Sequence, residues 1–114
     1  MKFRMTAKGA FIPEEHEWDV VFVSASGKEV KFTKRNVDGG MTLSCDQEGM
    51  GVKLISDGSF IFLLDSEFFG IGPIKAVTTA YIPDEDFDGD ATFPDLGGIR
   101  TELRRSYIIN VIEV

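Results

Sequence analysis

Apolar residues in this chain recur at every second position, in short runs separated by glycine- and aspartate-rich breaks, and no segment keeps a helical period. A strand turns successive side chains to opposite faces, so such a chain folds by pairing strands and burying alternate residues. Phe3 and Met5, with Ala7 beyond them, share one side of a first strand, with Lys2, Arg4 and Thr6 on the other. Pro13-Glu14-Glu15-His16 reads as a turn or a single helical turn. The strongest strand runs over residues 17–24, with Trp18, Val20 and Phe22 on one face and Val21 and Val23 on the other. A strand apolar on both sides belongs in the middle of its sheet.

Further strands are expected over residues 28–34, with Val30 and Phe32 inward, and over residues 41–45, where Met41, Leu43 and Cys45 alternate with Thr42 and Ser44. Residues 52–56 and 59–64 flank Asp57-Gly58, which reads as a two-residue hairpin turn. Residues 73–82 form another strand stopped by Pro83, and a last one spans residues 101–114. About eight short strands with regular turns specify an all-β fold: an antiparallel two-sheet β-sandwich, immunoglobulin-like or jelly-roll-like, in a single domain over residues 1–114. Trp18, Phe22, Phe32, Leu54, Phe60 and Phe62 are expected to share its core.

Composition narrows the function. The chain carries 19 acidic against 12 basic residues, a formal charge of −7, which repels phosphate backbones and anionic lipid and argues against nucleic-acid or membrane binding. Arg100, Arg104 and Arg105 are a local basic patch that reads as a solvated face. Ten phenylalanines suffice to fill a two-layer core without a disulfide, and Cys45, the lone cysteine, has no intrachain partner. The N-terminal residues alternate, unlike a signal peptide, and the longest apolar run, residues 60–64, is too short for a membrane span. A soluble protein is expected.

One spacing suggests a specific chemistry. Asp84, Asp86 and Asp88 fall at alternate positions, Gly89 follows for a sharp turn, and Asp90 and Asp95 add carboxylates, as in an oxygen-ligand calcium loop. Asp95 replaces the longer bidentate glutamate, Pro94 stiffens the loop, and no helix pair flanks it, so a hydrated acidic loop explains the same residues. Phe87 and Phe93 are expected to pin that loop to the sandwich. Phe68-Phe69 reads either as a partner-contact patch or as part of a loop folded over one end of the core. His16, among glutamates and with no second histidine, reads as a surface residue, and Cys45, alternating with Leu43 and Met41, as a small apolar one. No catalytic residue set emerges, and no enzyme is expected.

Three stretches carry a family resemblance. Glu17-Trp18-Asp19-Val20-Val21-Phe22 with Ser26-Gly27-Lys28 resembles an opening strand pair, and Gly70-Ile71-Gly72-Pro73-Ile74 resembles the turn entering a later strand. Tyr81-Ile82-Pro83-Asp84-Glu85-Asp86-Phe87, followed by Gly98-Ile99-Arg100-Thr101-Glu102-Leu103, resembles a crossover before the last strand. Together they are similar to small β-sandwich modules of phage and prophage tail machinery, the kind at the N-terminus of upper baseplate and tail-fibre adaptor proteins. Residues 88–93 look like an insertion in that pattern. The resemblance implies a non-enzymatic assembly part that contacts other virion proteins or further copies of itself, made in the bacterial cytoplasm and carried into the virion, with no cofactor. A second reading is a small adhesin or carbohydrate-binding sandwich whose acidic loop is ordered by calcium.

Overall fold

The computed structural model describes residues 1–9, 11–83, 100–107 and 111–114, with residues 82–83 and 100–107 described by backbone alone. Nine strands are found among the described residues: β1 (Lys2–Met5), β2 (Glu17–Val23), β3 (Glu29–Val37), β4 (Gly40–Cys45), β5 (Gly51–Leu54), β6 (Phe60–Leu63), β7 (Lys75–Pro83), β8 (Arg100–Tyr107) and β9 (Val111–Glu113). They form two antiparallel sheets, a four-stranded one in the order β5-β6-β1-β9 and a five-stranded one in the order β4-β3-β2-β7-β8. This is a β-sandwich. The chain passes between the sheets at β1–β2, β4–β5, β6–β7 and β8–β9. As its double-sided apolar pattern requires, β2 lies in the middle of its sheet, between β3 and β7.

The single strand expected over residues 101–114 is two. β8 pairs with β7 until Tyr107 stands opposite Val77, near the start of β7. With its partner running out, the chain changes sheets, and β9 pairs with β1, placing Val111 opposite Met5 in the core. The β7–β8 register also shifts between Ala80 and Tyr81, where pairing passes from Arg104 to Glu102 and leaves Leu103 unmatched, a β-bulge.

The Asp57-Gly58 hairpin forms, but its turn is centred one residue earlier than the sequence suggested. The Gly58 amide donates to the Ile55 carbonyl at 3.0 Å, so Ser56 and Asp57 occupy the centre and Gly58 follows at φ 87°. Asp57 sets this register, because its carboxylate accepts from both the amide and the hydroxyl of Ser59, at 2.9 and 2.6 Å. The β2–β3 hairpin repeats the arrangement, Gly27 donating to Ser24.

Alternate residues of both sheets meet between them. Trp18 packs edge-on against Phe60 and Phe62, with ring centroids 5.2 and 5.6 Å apart, and Phe62 reaches Phe22 and Phe32 at 5.3 and 5.0 Å. Tilted aromatic pairs of this kind add about 0.5–1.5 kcal/mol each beyond area burial. The expected core is therefore present, with Leu54 partly buried at its margin. A single helical turn, α1 (Ser66–Phe69), capped by the Asp65 side chain, closes one end.

Candidate functional site

Among the described residues, polar or apolar groups collect outside the hydrophobic core in three places: the outward face of each sheet, and the turn between β1 and β2.

In the β1–β2 turn, five successive carbonyls are all engaged. Ile12 accepts from the amides of Glu15 and His16. Pro13 accepts from the Trp18 indole nitrogen at 3.1 Å, Glu14 and His16 both accept from the Lys34 ammonium at 2.8 Å, and Glu15 accepts from the Asn36 side chain at 2.9 Å. Lys34 is the residue sequence reasoning missed. It stands at the same parity as Val30 and Phe32, and is as fully buried as they are. Its third bond runs to Asn36 Oδ1 at 2.9 Å. Burial lowers its pKa, and the fields of Glu17, Glu14 and Glu15 oppose that shift. The signal was a lysine on the inward parity of a strand. His16 accepts the Ile12 amide through Nδ1 at 3.0 Å and stacks on Phe11, so it closes the turn. The outcome is a rigid loop displaying Glu14 and Glu15, with Ile12 40% exposed beside them.

On the outward face of the five-stranded sheet, Asp19 is nearly buried and fully engaged. It accepts from Arg35 at 2.9 Å and from the Tyr81 hydroxyl at 2.6 Å, and Lys31 stands 4.0 Å away. Arg35 also lies over the Tyr81 ring. Thr33 and Ser44 hydrogen-bond across β3 and β4. Among the described side chains of this face, Asp19, Arg35, Tyr81, Thr33 and Ser44 satisfy one another.

The outward face of the four-stranded sheet is different. Register puts Lys53, Ile61, Arg4 and Ile112 in one cross-strand row. Gly51, Leu63 and Lys2 form the next, continued by Val114, whose amide donates to the Lys2 carbonyl. Every ionisable side chain in these rows is basic, and Leu63, Ile112 and Val114 are 51, 61 and 65% exposed. Arg4 Nε is shielded from solvent and has no acceptor among the described residues. Asp57, in the β5–β6 turn, has its carboxyl held below the usual range, chiefly by the Ser59 bonds and further by Arg4. Next to this face, no described strand pairs with the far side of β9. Under that edge lies an apolar cavity of about 310 Å³, lined by Met1, Phe3, Pro73, Ile74 and Val111 among others.

The remaining expectations are placed as follows. Phe69 is buried in the core, as the folded-over loop reading has it, while Phe68 is half-buried with the Lys28 ammonium 5.2 Å from its ring centre. Cys45 donates to the Gln47 carbonyl, and burial pushes its thiol pKa up, which favours the protonated thiol over the nucleophilic thiolate. The calcium candidates Asp84, Asp86, Asp88, Asp90 and Asp95, and the loop anchors Phe87 and Phe93, lie outside the described residues. No group of three His, Cys, Asp or Glu side chains among the described residues could hold a metal ion. No described helix is long and apolar enough to cross a membrane. No family model, curated protein or solved structure matches this chain.

Proposed function

We propose that this chain is a non-enzymatic assembly module of a phage or prophage tail, a baseplate or fibre-adaptor part that works by contacting other proteins. The observation that supports assembly is the outer edge of β9, which no described strand pairs with and where backbone groups border exposed Ile112 and Val114 and overlie an apolar cavity. An extended partner segment laid along β9 would hydrogen-bond to its backbone and point alternate side chains into that cavity. Because β9 spans only Val111–Glu113, its backbone offers few bonds and side-chain burial must supply much of the affinity. Ile71, fully exposed, stands in the segment that forms the cavity's other wall. Beside it, Gly72 has φ 114°, and a Cβ there would come within 2.8 Å of the Ala25 side chain. The phage-tail part of the reading rests on the three sequence stretches described above, and it carries with it passage from the bacterial cytoplasm into the particle.

The test is recovery of the chain in tail particles. Particles released from a culture of the source strain are purified by density, and their proteins are counted by mass spectrometry. The chain is expected in fixed ratio to the tail proteins. A chain found only in the soluble fraction, with particles complete without it, overturns the proposal.

A further inference from the structure

The acidic β1–β2 turn and the basic outward face of the four-stranded sheet are complementary, and both belong to the same molecule. We infer that the chain self-associates, the turn of one copy docking on the four-stranded face of another. This deepens the assembly reading by naming the partner.

Charge supports the pairing. In a chain of formal charge −7, the two rows across the four-stranded sheet contain Lys2, Arg4 and Lys53 and no acidic side chain, with Asp57 of the adjoining β5–β6 turn acting on Arg4. The turn contributes Glu14 and Glu15, both exposed. Apolar groups match as well: Ile12 is 40% exposed on the turn, and Leu63 and Ile112 are 51 and 61% exposed on the face. The turn is also preorganised. Its carbonyls are already taken by Trp18, Lys34 and Asn36, so docking costs little ordering entropy, and only the glutamate side chains need to be fixed. A turn meeting part of one sheet face makes a small contact, at the low end of specific interfaces, so the association is weak, steered by charge and sensitive to salt. Since the two patches differ, each contact leaves a turn and a face free to engage further copies or to close a ring.

Sedimentation velocity over a concentration series tests this, at about 0.05 M and about 0.5 M salt so that screening is varied strongly. The chain is expected to gain mass with concentration, with association about tenfold weaker at the higher salt. Two charge-reversed variants complete the test, Lys2→Glu with Lys53→Glu, and Glu14→Lys with Glu15→Lys. All four side chains are exposed, and melting curves verify each fold; if the new lysines crowd Lys34 and lower the melting point, Lys53→Glu and Glu15→Lys alone serve as the pair. Each variant by itself is expected to stay monomeric, and an equal mixture to associate again. A chain that stays monomeric at every concentration, variants that associate like the parent, or a mixture that fails to associate would each overturn the inference. A monomeric chain found in tail particles refutes self-association and leaves the assembly reading intact, and an associating chain absent from particles does the reverse.

Discussion

The two outward faces of this sandwich treat their charges in opposite ways. On the five-stranded sheet, Asp19 is enclosed by Arg35, Tyr81 and Lys31, so the charges described on this face are paired with one another. On the four-stranded sheet, Lys2, Arg4 and Lys53 alternate with exposed aliphatic side chains and no acid shares their rows. A surface that satisfies itself gains stability and has little to offer a partner. One that leaves like charges among apolar groups gains little for the fold and retains binding potential. Substitutions on the five-stranded sheet are therefore expected to alter melting, and substitutions on the four-stranded face to alter association.

The largest effect is expected at Trp18, whose replacement by alanine empties the core between the sheets and also frees the Pro13 carbonyl. A loss of about 3–5 kcal/mol is expected in chemical denaturation. A variant melting within a few degrees of the parent would show that the sheets are not joined through this ring.

Next is Lys34→Met, which keeps the side-chain volume but leaves the Glu14 and His16 carbonyls without their donor. About 2–4 kcal/mol should be lost, the range for orphaned buried acceptors of a charged donor. The same residue gives a pH test. Because burial lowers its folded-state pKa, the unfolded chain binds more protons in the window between the lowered value and the ordinary lysine value. The burial penalty is thus present at neutral pH and relieved as pH rises through that window. An NMR titration of the Lys34 amine should find its midpoint below that of the exposed lysines, and a midpoint at or above theirs would contradict the burial argument.

A smaller effect is expected at Asp19. Asp19→Ala and Tyr81→Phe should each cost about 1–3 kcal/mol, and the double variant less than their sum, because both remove the Tyr81–Asp19 hydrogen bond. Strict additivity would mean that the pair is not coupled, and the contrast between the faces would weaken. The smallest effects on stability belong to the four-stranded face, where Lys53→Ala and Lys2→Ala should change stability by no more than about 0.5 kcal/mol. A larger loss from either would show that this face, too, is used for the fold.

Much of the architecture was legible because strand patterning is a local property. Trp18, Val20 and Phe22 announce a buried face wherever their strand is placed, and the apolar opposite side of β2 announces a central position. The split of residues 101–114 into β8 and β9 was not legible, since no glycine or proline in that stretch marks a break and only the length of β7 decides where its partner must leave the sheet. Nor was the hairpin register at Asp57-Gly58, which follows from a side-chain bond to Ser59.

The candidate sites divide in the same way. Their residue types stand in the sequence: the glutamates of the turn, the lysines and the arginine of β1 and β5, the lysine at an inward strand position. By itself the sequence determined that the chain would pair strands, bury alternate aromatics and turn at its glycines, because each of those follows from backbone geometry and neighbours a few positions away. Only the tertiary structure decided that Lys34 would fasten a turn 18 to 20 residues earlier in the chain, and that Lys2, Arg4 and Lys53 would lie on one face. Those groupings depend on which strands become neighbours. That is settled by the burial of the whole core, a property no single segment holds.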